Sequence, residues 1–223
     1  MRALALTLLI LALSAAAAGS AAASEYADAA DYAAAAPGRL AEFIQVNTQN
    51  PPGNETRGAD YLAGIFAAAG IEYETAESAP GRGNIWARLA GGDKPPLILL
   101  NHMDVVPADP RYWSFDPFSG AIRDGYVYGR GALDMKGLGI VQLQAFLALH
   151  AAGRKPDRDI VFVATADEEA GGAFGAGWLV EHHPEIFANA GYLINEGGGG
   201  TLLGDNTVFS VELTQKVPLW LRL

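Results

Sequence analysis

Cysteine is absent from this 223-residue sequence. Disulfide bonds, thiolate zinc ligands and thiol nucleophiles are therefore excluded, and any metal must be bound through nitrogen and oxygen atoms. The sequence also contains no Gly-x-Ser-x-Gly segment, which is the usual signature of a serine nucleophile in an α/β hydrolase. A water molecule activated by a metal ion is the hydrolytic route that remains.

Positive charge is scarce as well. The chain has 15 lysines and arginines against 25 aspartates and glutamates, which gives a formal net charge of −10. This balance argues against nucleic acid and anionic membrane surfaces as partners, because both attract basic proteins. It also means that carboxylates brought together by the fold need cations to offset their repulsion.

The longest hydrophobic run is at the start of the chain. Arg2, the apolar residues 4–13 and the small residues 21–23 together have the pattern of a secretory signal peptide. An uncleaved membrane anchor is the alternative, but the strongly apolar part is shorter than the roughly 20 residues that a spanning helix needs. We predict a signal peptide over residues 1–23, one domain over residues 24–223, and an exported protein, periplasmic or secreted, without stable membrane insertion.

Predicted helices and strands alternate along the chain. The apolar runs at 97–100, 160–164 and 192–194 lack polar alternation, which is typical of strands buried on both faces of a parallel sheet. Alternation of this kind predicts an α/β fold with a mostly parallel central sheet and helices on both faces. The patterns predict helices over 25–46, from a cap at Asn54 to Gly70, and over 135–152, and strands over 84–89, 97–100, 126–128, 160–164, 192–194 and 207–213.

Acidic and imidazole side chains directly follow three of the predicted strands. Since the carboxyl ends of parallel strands meet at one edge of a sheet, these side chains are expected to converge there. Asp134, which precedes a predicted helix, joins the set. One imidazole and several carboxylates in one cleft predict a metal site. The residues are His102 and Asp104 after strand 97–100, Glu168 and Glu169 after strand 160–164, and Glu196 after strand 192–194.

Each of these residues also has a purely structural interpretation. A lone histidine such as His102 is more often hydrogen-bonded in a core or at a surface, Asp134 could cap the following helix, and Glu168 with Glu169 could be a solvated pair. Asp104 favours the metal interpretation. In a strand-like His-x-Asp both side chains can share a face, so the carboxylate can accept the second imidazole N–H and fix the tautomer.

Four segments resemble, in order and spacing, family twenty of the metallopeptidases, which includes aminoacylases, carboxypeptidase S and succinyl-diaminopimelate desuccinylase. The resemblance extends from about residue 40 to the C-terminus. Within these segments, residues 129–134 and residues 195–198 are most similar to the carboxypeptidase S and N-acyl amino acid hydrolase branch. The four segments are 101–107, 129–137, 167–169 and 195–198.

The resemblance implies a zinc-dependent hydrolase that cleaves the amide bonds of N-acyl amino acids or short peptides. It implies two zinc ions, for which cobalt or manganese could substitute. His102 and Glu196 would hold one zinc ion, Glu169 would hold the other, and Asp134 would bridge both.

The remaining two site residues take catalytic and orienting roles in the resemblance. Asp104 would orient His102, and Glu168 would take a proton from the bridging water and pass it to the leaving amine. The family pattern continues with a lid or dimerisation domain and a closing histidine, which this sequence does not contain. We therefore expect an incomplete catalytic domain whose full-length form is a homodimer. The alternative is a non-catalytic binding or interaction protein that retains the fold and is inactive without that histidine.

Overall fold

The structure is a computed structural model that describes residues 29–197 and 199–210. The predicted signal peptide, residues 1–23, and the end of the predicted strand 207–213 lie outside the described residues. Within the described ranges, no helix combines the length and the apolar character needed to span a bilayer.

Helices and strands alternate as the sequence predicts. The helices are α1 (29–45), α2 (Thr56–Ala69), α3 (Lys136–Ala151) and α4 (Ala176–His182). The strands are β1 (Tyr73–Glu77), β2 (Gly83–Leu89), β3 (Lys94–His102), β4 (Ala121–Arg123), β5 (Tyr126–Tyr128), β6 (Arg158–Thr165), β7 (Tyr192–Ile194), β8 (Gly199–Leu203) and β9 (Asn206–Ser210). The sequence patterns missed β1, β4 and β8, whose side chains are mostly exposed and form no continuous apolar run.

The central sheet has the strand order β1-β2-β6-β3-β7. Strands β6, β3 and β7 run parallel, whereas β1 and β2 extend the sheet with antiparallel pairings. His102 lies beside Thr165 in the β3–β6 register, and Leu99 lies beside Ile194 in the β3–β7 register. The three parallel strands therefore end at one edge, where the segments that follow them can meet. The predicted α/β fold is confirmed. The predicted burial of strand 192–194 on both faces is wrong, because β7 lies at the edge of the sheet with exposed side chains.

Helices cover both faces of this sheet, and β6 contributes to both cores. Phe162 packs on one face with side chains of α1, α2 and α3, including edge-to-face contact with Phe66 at 5.6 Å between ring centroids. Val161 and Val163 point to the other face, where Leu179 of α4 covers them. Successive strand residues point to opposite faces, so burial on both faces explains why the run 160–164 is apolar without alternation.

The start of α2 differs from the prediction. The N-cap position is occupied by Glu55 rather than Asn54, and no side-chain hydrogen bond caps the helix. Glu55 is fully buried instead, with its carboxylate 3.4 Å from Nε of Arg82. The predicted end of the helix is confirmed, because Gly70 has the left-handed φ of 69° that terminates many helices.

A buried lysine joins the first residue of α3 to the end of α1. Nζ of Lys136 donates hydrogen bonds to the carbonyl oxygens of Phe43, at 3.0 Å, and Val46, at 2.7 Å, and it lies 4.7 Å from the centroid of the Phe43 ring. Carbonyls in the last turn of a helix have no partner within the helix, so Lys136 satisfies them. The segment that contains Asp134 is thereby attached to α1.

Candidate metal centre

His102 is the last residue of β3 and is almost completely buried. Its Nε2 atom faces three carboxylates that come from three different segments. The distances are 3.1 Å to Asp134 Oδ1, 3.6 Å to Glu196 Oε2 and 3.7 Å to Glu168 Oε2. The side chains that were predicted to converge at these strand ends therefore lie close together in the structure.

Three of these residues form a compact set of donor atoms. One atom each from His102, Asp134 and Glu196 lies within 4.8 Å of the others. Three protein donors with an open side are the arrangement typical of a catalytic metal site, and a nitrogen with two carboxylate oxygens suits zinc, cobalt or manganese. The helix-cap interpretation of Asp134 is not supported, because Met135 occupies the N-cap position of α3 and the Asp134 carboxylate faces His102.

Glu169 lies outside this three-residue group, although it was predicted to hold a second metal ion. Burial raises the pKa of Glu169, and the negative charge of Asp134 raises it further. The role of Glu169 at a second metal ion stays a prediction, and the compact donor set is the one around His102.

The imidazole of His102 is oriented through its other nitrogen. Nδ1 donates to the main-chain carbonyl oxygen of Asp104 at 2.9 Å, and the carboxylate Oδ1 of the same residue is farther away, at 3.4 Å. A carbonyl can only accept, so Nδ1 carries a hydrogen, and Nε2 becomes free to bind a metal once it has lost its own proton. Asp104 therefore contacts the imidazole through its backbone carbonyl and, at a longer distance, through the carboxylate that the sequence suggested.

The carboxylate of Asp104 has a second task, which no sequence motif indicated. Its Oδ1 accepts the backbone N–H of Glu168 at 3.0 Å, and its Oδ2 accepts the backbone N–H of Glu169 at 3.1 Å. Burial tends to raise the pKa of Asp104, but hydrogen bonds from His102 and Asn50 lower it overall. Asp104 therefore stays ionised and holds the Glu168–Glu169 turn against the end of β3.

The pKa values of the site show how crowded its negative charges are. Burial tends to lower the pKa of His102, but its hydrogen bonds with Asp104 and Glu196 and the surrounding charges raise it to about 11. The same contact with His102 lowers the pKa of Glu196. Burial, together with repulsion from Glu196, raises the pKa of Glu168. In the metal-free state a protonated His102 supplies the positive charge that these carboxylates require.

Sequence reasoning missed three buried polar residues behind the site: Asn50, Arg82 and Asp167. The guanidinium of Arg82 forms a close ion pair with Asp167, and Asn50 donates to the Asp167 carboxylate at 3.1 Å. Asp167 immediately precedes the two glutamates and has a left-handed φ of 69°. Asp167 could have been identified from its position in the acidic triplet 167–169. Neither Asn50 nor Arg82 belongs to a recognisable motif, so their role could not be inferred from the sequence.

A family model described as peptidase family M20/M25/M40 matches residues 98–216, which is more than half of the chain. The chain belongs to this family. The matched range contains all six of the predicted site residues, including the three donors around His102.

Curated relatives and solved structures agree with this assignment. Aminoacylase-1 of Sus scrofa is 34% identical over 187 residues, 82% of this chain and 44% of that protein. A succinyl-diaminopimelate desuccinylase of Methylobacterium sp. (strain 4-46) is 45% identical over 116 residues, 49% of this chain and 29% of that protein. The chain thus spans less than half the length of these relatives. The structure of human carnosine dipeptidase 1 matches 77% of this chain and 40% of its own, with a TM-score of 0.62 at 22% identity, which supports the fold.

Proposed function

We propose that this M20-family chain contributes the catalytic domain of a zinc-dependent hydrolase that cleaves the amide bond of N-acyl amino acids or short peptides. The observation that carries the proposal is the donor set of His102, Asp134 and Glu196, with atoms within 4.8 Å of one another. Glu168 lies beside this set, with Oε2 3.7 Å from Nε2 of His102. A metal-binding group with an adjacent free carboxylate is the minimum that amide hydrolysis by activated water requires.

The names of the relatives support the choice of substrate class. An aminoacylase and a succinyl-diaminopimelate desuccinylase are both similar to this chain, and both names describe removal of an acyl group from an amino compound. Zinc suits the nitrogen and oxygen donors, and cobalt or manganese could replace it.

The side chains of the site divide into binding and proton-transfer roles. A zinc ion, when bound, supplies Lewis-acid polarisation of the amide carbonyl and a water of lowered pKa. His102, Asp134 and Glu196 would hold it, and Glu169 with Asp134 would hold a second ion. Glu168 would accept the proton of the attacking water and deliver it to the leaving amine nitrogen, a role favoured by its raised pKa.

The assignment of residues 1–23 as a signal peptide, residues 24–223 as the catalytic domain and the exported location remain predictions. A homodimer of the full-length form is likewise part of the proposal. The non-catalytic alternative is not favoured, because a binding protein has no need of the Glu168 carboxylate beside the donor set. A functional assay separates the two.

The test uses the full-length form and compares the wild type with Glu168→Gln and with Glu181→Gln, a control at an exposed position of α4. Each is stripped with a chelator, reloaded with Zn²⁺, Co²⁺ or Mn²⁺, and assayed on N-acetyl and N-succinyl amino acids and on dipeptides. We expect chelation to abolish hydrolysis and metal to restore it. Glu168→Gln should bind metal as the wild type does and lose roughly 10²–10⁴-fold in kcat. Hydrolysis that survives chelation, or an active Glu168→Gln, would refute the proposal.

A further inference from the structure

The side-chain amide of Asn50 bridges two buried carboxylates behind the metal centre. Its Nδ2 atom donates to Asp104 Oδ2 at 2.8 Å and to Asp167 Oδ1 at 3.1 Å. All three residues are at least nine-tenths buried. Asn50 precedes α2 and lies 54 and 117 positions away from its two acceptors, so this contact joins distant parts of the chain.

An amide is well suited to this position. Two carboxylates that approach each other in a buried space repel unless donors lie between them. A primary amide offers two N–H groups without adding charge, whereas a hydroxyl offers one and a carboxylate offers none. The Nδ2 group of Asn50 therefore satisfies Asp104 and Asp167 at the same time.

Arg82 fixes which way this amide faces. Its NH1 group donates to Oδ1 of Asn50 at 3.2 Å, and a guanidinium can only donate, so the amide nitrogen must face the carboxylates. NH1 also donates to the carbonyl oxygen of Pro52 at 3.0 Å. Gly53 leaves the space for this group, because a Cβ atom there would lie 1.5 Å from NH1.

The two carboxylates that Asn50 joins act on different parts of the metal centre. Asp104 orients His102 at the end of β3 and accepts the backbone N–H groups of Glu168 and Glu169. Asp167 forms the left-handed turn from which those glutamates extend. Holding Asp104 and Asp167 together therefore fixes the distance between the imidazole and the two glutamates.

We propose that Asn50 is a positioning residue of the metal centre: its amide, oriented by Arg82, holds Asp104 and Asp167 together and so sets Glu168 and Glu169 relative to His102. The proposal rests on the proposed function for its catalytic consequence. Its structural part, the tethering of the two glutamates, holds for the metal-free protein and can be tested there.

The test uses the full chain with Asn50→Leu, which is close in size and has no donor. The control is Gln144→Met, which also removes a buried amide, but one that donates to the Tyr32 carbonyl and contacts no carboxylate of the site. Amide hydrogen exchange of the metal-free proteins is measured at Glu168 and Glu169, relative to Val161 in β6. This ratio separates local release of the turn from a general loss of stability.

We expect Asn50→Leu to raise the Glu168-to-Val161 exchange ratio by about tenfold, while Gln144→Met leaves it unchanged. An unchanged ratio in Asn50→Leu overturns the proposal. If that variant does not fold, Asn50→Ser replaces it. A hydroxyl serves only one carboxylate, so a smaller rise is expected there, and no rise at all is equally fatal to the proposal.

A second measurement reads the metal centre itself by titration with Co²⁺ and its visible absorption spectrum. Asn50→Leu should bind Co²⁺ about tenfold more weakly than the wild type and should have an altered spectrum. This is the lower end of the loss in metal affinity seen when a residue that supports a metal ligand is removed. Gln144→Met should match the wild type. If Asn50→Leu binds Co²⁺ as tightly as the wild type does and has the same absorption spectrum, the catalytic part of the inference is contradicted. A wild type that binds no Co²⁺ would refute the proposed function, and the exchange ratio would still decide the role of Asn50.

Discussion

Metal binding should release a proton from His102. The carboxylates around this side chain raise its pKa to about 11 in the metal-free protein, so the imidazole is protonated at neutral pH. A metal ion can bind Nε2 only after that proton has left. A pKa of about 11 lies about 3.5 units above pH 7.5, so at that pH almost every His102 side chain carries a proton that metal binding must release. Apparent affinity for Zn²⁺ should therefore increase about tenfold for each pH unit between pH 7 and pH 9.

Isothermal calorimetry measures this release directly. The heat of Zn²⁺ binding is recorded at pH 7.5 in buffers of different ionisation enthalpy, and its dependence on that enthalpy gives the number of protons released. We expect about one proton for the first zinc ion. Asp104→Asn removes one cause of the raised pKa, so the pH above which proton release declines should be lower than in the wild type. A wild-type value near zero, together with an affinity that does not change with pH, would refute the argument.

The same shift affects the stability of the metal-free protein. A histidine whose folded pKa lies above its unfolded pKa stabilises the fold fully below the unfolded value, near 6.5, and loses that contribution as pH rises toward the folded value. This part of the free energy of unfolding should therefore decrease above neutral pH. Urea denaturation of Lys136→Met at successive pH values would show the decrease, since Lys136 contributes the opposite dependence in the same pH range. Bound zinc should remove this dependence, because metal-bound His102 no longer titrates.

Three further predictions concern residues around the centre. Asp104→Ala should weaken zinc affinity by about 10–100-fold, and saturating zinc should restore activity only in part, because the N–H of Glu168 also loses its acceptor; full recovery would contradict this. Glu169→Gln should weaken the second zinc equivalent and spare the first, and equal losses in a zinc titration would contradict the assignment. Burial lowers the pKa of Lys136 to about 7 from 10.5, so between these values the unfolded chain binds more protons and this residue makes stability rise with pH. The free energies of unfolding of metal-free wild type and Lys136→Met are compared by urea unfolding. As pH rises, the difference should change in favour of the wild type by up to about 1.4 kcal/mol per pH unit. A difference that does not change with pH would contradict the prediction.

The fold was predictable where burial is uniform and the pattern is local. The run 160–164 has no polar interruption, because β6 is covered on both faces, and it therefore identified a central strand. Strand β1 was missed because charged and exposed side chains occupy most of its length. The cap at Asn54 was wrong because the next residue, Glu55, is buried beside Arg82, and that long-range contact outweighs the local capping preference.

The site was predictable to the extent that its members follow strands. His102, Glu168 and Glu196 come together because parallel strands end at one edge, which the order of motifs already suggested. Backbone donors were not predictable, since a peptide N–H is present at every residue and leaves no trace in composition. The contacts of Asn50 and Arg82 were not predictable either, because they depend on which distant loops the completed fold brings together.

The contact between Lys136 and the end of α1 determines how short a working version of this protein can be. Residues 29–45 supply none of the predicted metal ligands, so α1 could be mistaken for a dispensable leader when the N-terminus is trimmed. However, Phe43 in its last turn and Val46 directly after it provide the carbonyl oxygens that accept hydrogen bonds from the buried ammonium. A version that starts after residue 46 would leave that ammonium without acceptors in an apolar interior, two positions from Asp134. Affinity tags and fusion partners should therefore be joined upstream of α1.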